Sequence, residues 1–301
     1  MNHPPVVPAS LRPGDTVAIL SPASAVDPLL IEGAANALAR LGYRPRIMPH
    51  AAGRLGSYSA TEADRLADLR AALDDPSVKA ILCSRGGYGA VHLLGQITPR
   101  PVWLIGFSDI SALHSLWHSN GIASVHGSMA RHLALFPPDD PANRALAEIL
   151  ATGRQPAYEF APHPLNRPGT VTGTLLGGNL AVLGGLIGTP LSLLKPDTIM
   201  IIEDIAEPIY KVERILHQLR LAGILPNLRG LIVGQFTEWK PDRNYSDMNA
   251  MIADMTAPYS YPVAFNAPFG HVDTNLPFIE STTVTLSVAP AAVTLAPPDL
   301  P

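Results

Sequence analysis

Three residues of this 301-residue chain are of the types that acyl transfer needs: Ser108, Glu203 and His271. Ser108 follows the apolar run Val102 to Ile105, long enough for a buried strand and too short for a helix, and Gly106 breaks that run. Beyond it, Ile110, Leu113, Leu116 and Trp117 fall at helical spacing as far as Gly121. Ser108 is therefore expected on a tight strand-to-helix turn. There the free N–H groups and the positive end of the helix would stabilise an oxyanion, with the amide of Asp109 as one donor. The same position suits a serine that only caps the helix. Glu203 ends the apolar strand Thr198 to Ile202, where a carboxylate is costly unless paired and where open α/β sheets bind their ligands. It reads equally as a charge that caps the next helix together with Asp204. His271 follows Phe269-Gly270 in a loop rich in Pro and Gly and could be structural. Taken together the three are the parts of a hydrolase triad. The histidine would take the serine proton and hand it to the leaving group, and the carboxylate would hold the imidazole tautomer.

Two further patterns could carry chemistry. The glycines of Arg85-Gly-Gly-Tyr-Gly89 follow a strand-like run and could cradle a phosphate, but the loop lacks the Gly-Lys-Ser/Thr ending of a P-loop and the dinucleotide spacing. The amide of Gly86 or Gly87 is better suited to be a second oxyanion donor. His114 and His118 have the i, i+4 spacing of a helical zinc site without the adjacent glutamate of the zinc proteases. They, with His126 and His132, read as structural or supporting residues, and neither a metal nor a cofactor is expected.

The elements that must position these residues alternate. Strands are expected at Thr16 to Leu20, Arg44 to Met48, Lys79 to Ser84, Val102 to Ile105 and up to His126. Helices lie between them: one with Leu30, Ala34, Leu38 and Leu41 on a face, one after the capping-box spacing Ser59-Ala-Thr-Glu62, and a short one through Val91, Leu94 and Ile97. Asp140-Pro141 opens another helix and Gly153 closes it. Such alternation implies a parallel sheet covered on both faces. Prolines 156, 162, 164 and 168 mark a linker over residues 154–169 between an α/β domain at 1–153 and a second domain at 170–301. In that second domain, Val171 to Leu176 leads into Gly177-Gly178-Asn179. A helix carries Val212, Ile215, Leu216 and Leu219, Gly230 to Gly234 is a buried strand, and the tail from Thr282 to Leu295 alternates as antiparallel strands do.

Composition narrows the partners. The chain is 47% hydrophobic and 15% charged, with a formal net charge of −4 and no Lys/Arg cluster, which argues against nucleic acid or an acidic membrane surface. One cysteine, Cys83 in an apolar run, excludes an intramolecular disulfide and a Cys-based zinc cluster. No apolar run approaches the roughly 20 residues that span a bilayer, and the first eight residues carry no secretory pattern, so a cytoplasmic protein is expected.

Several blocks resemble the LD-carboxypeptidase family, which also contains the microcin-C immunity hydrolases. They are Leu11 to Ala18, Ser84-Arg-Gly-Gly-Tyr-Gly-Ala90, Gly106-Phe-Ser-Asp-Ile-Ser-Ala-Leu-His114, His126 to Met129, Gly173 to Ala181, Ile201 to Pro208 and Phe269-Gly-His271. They occur in the family's order from Leu11 to about Val288. The resemblance implies Ser108 as nucleophile, Glu203 and His271 as its relay, and an oxyanion hole from the backbones of Asp109 and the Arg85–Gly89 loop, Gly87 in particular. It implies a flavodoxin-like N-terminal domain with a smaller swivelling β/α C-terminal domain, a homodimer, and a triad assembled across the domain boundary. The substrate it implies is a muropeptide: a murein tetrapeptide losing its terminal D-alanine. Arg85 is a candidate clamp for the substrate carboxylate, and Asn179 is a second candidate substrate contact. The rivals are an amidase acting on a peptidyl-nucleotide antibiotic with the same triad, a non-catalytic muropeptide-binding protein, and a nucleotide-binding enzyme using the glycine loop. Departures from the family pattern, Ser21-Pro-Ala-Ser24, Ser128 and Leu276-Pro-Phe-Ile279, leave the triad untouched and bear on the pocket.

Overall fold

The computed structural model describes residues 5–298. The chain forms two compact units: one reaches to Arg154 and takes in Leu276–Glu280, the other comprises Gln155–Asn275 and the chain from Ser281 on.

The first unit runs β1 (Thr16–Leu20), α1 (Pro28–Arg40), β2 (Arg44–Ile47), α2 (Glu62–Asp74), β3 (Val78–Cys83), β4 (Trp103–Gly106), α3 (Ser111–Ser119), β5 (Ser124–His126), α4 (Ala130–Leu135) and α5 (Pro141–Thr152). Strands β2-β1-β3-β4-β5 lie side by side and parallel, the flavodoxin order. Side chains of β1, β3 and β4 are buried almost throughout, as near-continuous apolar runs require in a parallel sheet. The chain reverses direction across the sheet between β1 and β3, so the loops after those strands and after β4 lie where open α/β sheets hold ligands.

Local chemistry moved several expected boundaries. The cap of α2 is Thr61, which accepts from the Asp64 amide at 3.2 Å, because the Ser59 hydroxyl is already donated to the Ser21 carbonyl at 2.6 Å. The helix expected through Val91 to Ile97 is a single 3-10 turn, Ala90–Leu93, bracketed by Gly89 (φ 124°) and Gly95 (φ 76°). The buried stripe of α1 is Ile31, Ala34, Ala37 and Leu38 rather than one through Leu30 and Leu41. Helix α5 starts and stops where Asp140-Pro141 and Gly153 (φ 69°) indicate.

The second unit is built on a seven-stranded sheet. Its elements are β6 (Tyr158–Phe160), β7 (Gly169–Asn179), α6 (Leu180–Gly184), β8 (Thr198–Ile205), α7 (Ile209–Leu221), β9 (Gly230–Thr237), α8 (Met248–Thr256) and β10 (Val263–Ala264). After these, β11 (Phe278–Glu280) pairs antiparallel with β5 in the first sheet, and β12 (Thr283–Val288) and β13 (Val293–Ala296) complete the second in the order β10-β9-β8-β7-β12-β13-β6. Within the stretch expected as a linker, Tyr158 to Phe160 pairs with β13 at the sheet edge, where the flanking prolines cost no ladder hydrogen bond. Leu216 and Leu219 of α7 and Met251 and Ile252 of α8 bury against Ile202, Leu231 and Val233. Each fully buried side chain of this size contributes about 1.5–3 kcal/mol by leaving water. That packing fixes β8, the strand that carries Glu203.

Candidate active site

Ser108 stands on a strained turn. The chain leaves β4 through Phe107 in extended backbone (φ −151°), and Ser108 then takes φ 64°, the left-handed region, before a 3-10 turn (Ser108–Ile110) runs into α3. A non-glycine residue there costs of order 1–3 kcal/mol and persists only where its surroundings over-determine it. The N-cap positions of the 3-10 turn and of α3 fall on Phe107 and Ile110, and neither residue makes a side-chain cap hydrogen bond. A strained turn at the end of a strand is a geometry that can present a nucleophile.

The glycine loop lies against this turn. A Cβ built on Gly86 would come within 2.8 Å of Ser108 Cβ and 3.0 Å of both Ser108 Oγ and the Asp109 amide nitrogen. Gly87 (φ 94°) is pressed against Ser24, whose hydroxyl accepts from the Tyr88 amide at 3.1 Å, while the Ser24 amide donates to the Gly86 carbonyl at 3.1 Å. Asp109 ties the far end of the loop to the Ser108 turn: its carboxylate accepts from the Ala90 amide at 2.8 Å. Burial raises the Asp109 pKa against the pull of that hydrogen bond and of the Arg65 charge. Arg65, itself buried, donates to the carbonyls of Pro22 at 2.5 Å and Gly89 at 2.8 Å. Arg85 is exposed and anchored by one N–H to the Ala25 carbonyl at 2.8 Å.

Gly86 has no positive φ, so alanine suits its backbone dihedrals, and the three atoms nearest an added Cβ all belong to the Ser108 turn. Gly86→Ala is expected to displace the serine by a few tenths of an ångström and lower kcat/KM at least about tenfold, with little change in melting temperature. Steady-state kinetics with a thermal scan checks it.

In the second unit, Glu203 and His271 meet. Glu203 is fully buried on β8, and its Oε2 lies 2.7 Å from His271 Nδ1. With the carboxylate ionised, Nδ1 is the donor, which leaves Nε2 as the proton acceptor of a neutral ring. Two glycines make the room. A Cβ on Gly270 (φ 117°) would sit 2.8 Å from Glu203 Oε2, and one on Gly234 would sit 3.2 Å from Glu203 Cβ and 2.6 Å from the Phe269 carbonyl oxygen. The Asn275 side chain holds the loop by accepting from the Gly270 amide at 2.8 Å. Burial pulls the His271 pKa down, but the hydrogen bond and charge of Glu203, with Asp204 and Glu238 beyond, outweigh it, and the net shift is upward. Asp204 is pushed up to about 6 by burial and by the neighbouring Glu203 charge. Glu203 is therefore no capping residue at a strand end; it lies within β8 and faces an imidazole.

The remaining expected residues separate. Asn179 caps α6, accepting from the Val182 amide at 3.1 Å, and donates to Asp204 Oδ1 at 2.9 Å, so its amide is engaged within the unit. The zinc-site reading of His114 and His118 fails at His114, whose nitrogens lie 2.8 Å from Ser124 Oγ and 2.9 Å from the Gly106 carbonyl oxygen. Among the described residues no group of three or more His, Cys, Asp or Glu is placed to hold a metal ion. Cys83 is buried, and burial pushes its thiol pKa up. Among the described residues no helix is long and apolar enough to cross a membrane. The Asp109 carboxylate, Gly234 and Asn275 are positioning groups that the sequence reading missed; Asp109 entered it through its backbone amide, and no local pattern marks the other two roles.

Residues 17–127 match the family model of the LD-carboxypeptidase N-terminal domain and residues 172–286 that of the C-terminal domain. The murein tetrapeptide carboxypeptidase of Pseudomonas aeruginosa is 33% identical over 270 residues, 85% of this chain and 87% of that protein. The crystal structure of a muramoyltetrapeptide carboxypeptidase from Oxalobacter formigenes superimposes with a TM-score of 0.84 at 26% identity, over 95% of this chain and 99% of that one. The microcin C7 self immunity protein MccF shares the fold alone, at a TM-score of 0.84 and 19% identity over 97% and 98% of the two chains. A strained serine on an α/β strand end and a buried carboxylate–imidazole pair are groups that acyl-bond hydrolysis can use. This chain belongs to the LD-carboxypeptidase family and is a carboxypeptidase, a hydrolase of peptide bonds.

Proposed function

We propose that this chain is a serine peptidase that removes the terminal D-alanine of a murein tetrapeptide; its similarity to a murein tetrapeptide carboxypeptidase and to a muramoyltetrapeptide carboxypeptidase supports the substrate class. The observation that carries the reading is the buried Glu203–His271 hydrogen bond of 2.7 Å. The nucleophile comes from the first unit and its relay from the second. Ser108 Oγ attacks the carbonyl carbon of the L-centre as His271 Nε2 takes its proton. The tetrahedral oxyanion accepts from the amides of Asp109 and Gly87. When the C–N bond breaks, the imidazolium returns the proton to the departing amine and D-alanine leaves. Water, activated by the same imidazole, then hydrolyses the acyl-serine to tripeptide and free enzyme. Arg85 is the cation offered to the substrate carboxylate, since a guanidinium held by one N–H keeps others for a bidentate contact. The same family resemblance implies a cytoplasmic homodimer, which light scattering on the purified protein and cell fractionation address.

Incubation with a synthetic murein tetrapeptide is expected to release D-alanine, and the same peptide ending in L-alanine is expected to stay intact. Release of neither, with hydrolysis of a peptidyl-nucleotide amide instead, would overturn the substrate assignment while keeping the mechanism.

A further inference from the structure

Taking Ser108 as the nucleophile, we infer that His114 is a positioning residue: its neutral imidazole clamps the peptide two residues before Ser108 and so aims the hydroxyl and the Asp109 amide. The imidazole is fully buried between β4, β5 and its own helix α3. One ring nitrogen, Nε2, lies 2.9 Å from the Gly106 carbonyl oxygen, and the other, Nδ1, lies 2.8 Å from Ser124 Oγ. A carbonyl can only accept, so Nε2 carries the proton, and Nδ1 must then accept from the Ser124 hydroxyl. The tautomer is fixed by its two partners. Burial pulls the His114 pKa down to about 4, so the ring stays neutral where the enzyme works.

The clamped carbonyl sits directly before the nucleophile turn. Gly106 also accepts from the Gly127 amide at 3.0 Å, so its peptide plane is held from β5 and from α3 at once. A Cβ at Gly106 would meet Ile110 at 3.0 Å, which leaves the strand end close-packed on the turn that leads into the helix. Phe107 then begins that turn, and its left-handed Ser108 is held only by its surroundings. A side chain from the first turn of α3, reaching back to the strand end, is such a constraint. Without it the Gly127 amide still holds that carbonyl, but the Gly106–Phe107 peptide has one restraint fewer, and Ser108 Oγ and the Asp109 N–H shift with it.

The test uses His114→Phe, which keeps the volume and removes both polar contacts, and His114→Gln, whose amide can still donate to the Gly106 carbonyl. His114→Phe is expected to lower kcat by about tenfold to a hundredfold with KM within about twofold, since small displacements of reacting groups cost on that order. Labelling of Ser108 by a fluorophosphonate should slow by the same factor, and His114→Gln should recover most of it. The acid limb of the pH profile, which belongs to His271, should not move. Nitrogen NMR of the wild-type enzyme reads the tautomer whether or not the variants fold, and is expected to show His114 protonated at Nε2 alone at neutral pH. Wild-type labelling rates in His114→Phe, a loss confined to KM, or an Nδ1-protonated His114 would overturn the inference. Labelling that survives in Ser108→Ala would instead overturn the nucleophile on which it rests.

Discussion

Ser108→Ala is expected to lower kcat by about four to six orders of magnitude, the loss typical when a nucleophilic serine is removed, and to abolish labelling by a fluorophosphonate. The fold should survive, because Ser108 is a half-buried turn residue and alanine keeps the Cβ that faces Gly86. Alanine in the left-handed conformation is no worse placed than serine by more than about 1 kcal/mol, so the melting temperature should shift by only a few degrees. Whatever rate remains would report the backbone donors, which still bind a tetrahedral oxyanion generated by water. KM should change little, since no contact with the bound peptide outside the reacting carbonyl is lost. Turnover of a murein tetrapeptide by this variant at near wild-type rate would remove Ser108 from the chemistry.

How much of the molecule is legible in its sequence varies from residue to residue. The parallel strands are plain because β1, β3 and β4 are buried on both faces and spell nearly unbroken apolar runs. Helix α5 is plain because its cap, proline and closing glycine all act within a few residues. Helix α8 is harder to see, although Met248, Met251, Ile252 and Met255 form its buried stripe and Asp247 accepts from the Ala250 amide. β11 leaves no trace: three residues pair with β5 only because the chain returns to the first sheet from far along the sequence. For the site, residue types and positions are readable and conformations are not. Ser108 also reads as a helix cap, and its φ of 64°, which marks a strained turn, is not readable. The roles of Gly234 and Gly270 depend on the path of a neighbouring glutamate, which no local pattern encodes. Asn179 is readable as a candidate substrate contact, but its hydrogen bond to Asp204 across the parallel β7–β8 pair is not readable. Short-range chemistry is written in the sequence; contacts closed by long-range pairing are not.

Glu203→Gln separates the two tasks of the carboxylate. On the proposed mechanism the imidazole must be neutral to accept the serine proton, and its pKa is raised. Activity is therefore expected to fall on the acid side with a midpoint above the ordinary histidine value of about 6.5. Glutamine keeps the volume and a hydrogen bond to Nδ1 but removes the charge that holds the proton on the ring. Burial, which acts to lower the pKa, then has less against it, so the acid limb should move to lower pH. At the plateau kcat should nonetheless fall by about 10³–10⁴, because the imidazolium that forms during attack has lost its counter-charge and the amide no longer selects one tautomer. Stability follows the same sign. A histidine raised on folding favours the folded state below its unfolded pKa, and that contribution disappears as pH rises through the folded value. Melting curves of wild type and variant should accordingly differ most at mildly acidic pH and approach one another toward alkaline pH. A plateau drop with an unmoved acid limb would mean that the group titrating on the acid side is not His271. An unchanged plateau would mean that the buried pair is structural and that the serine draws its base from elsewhere.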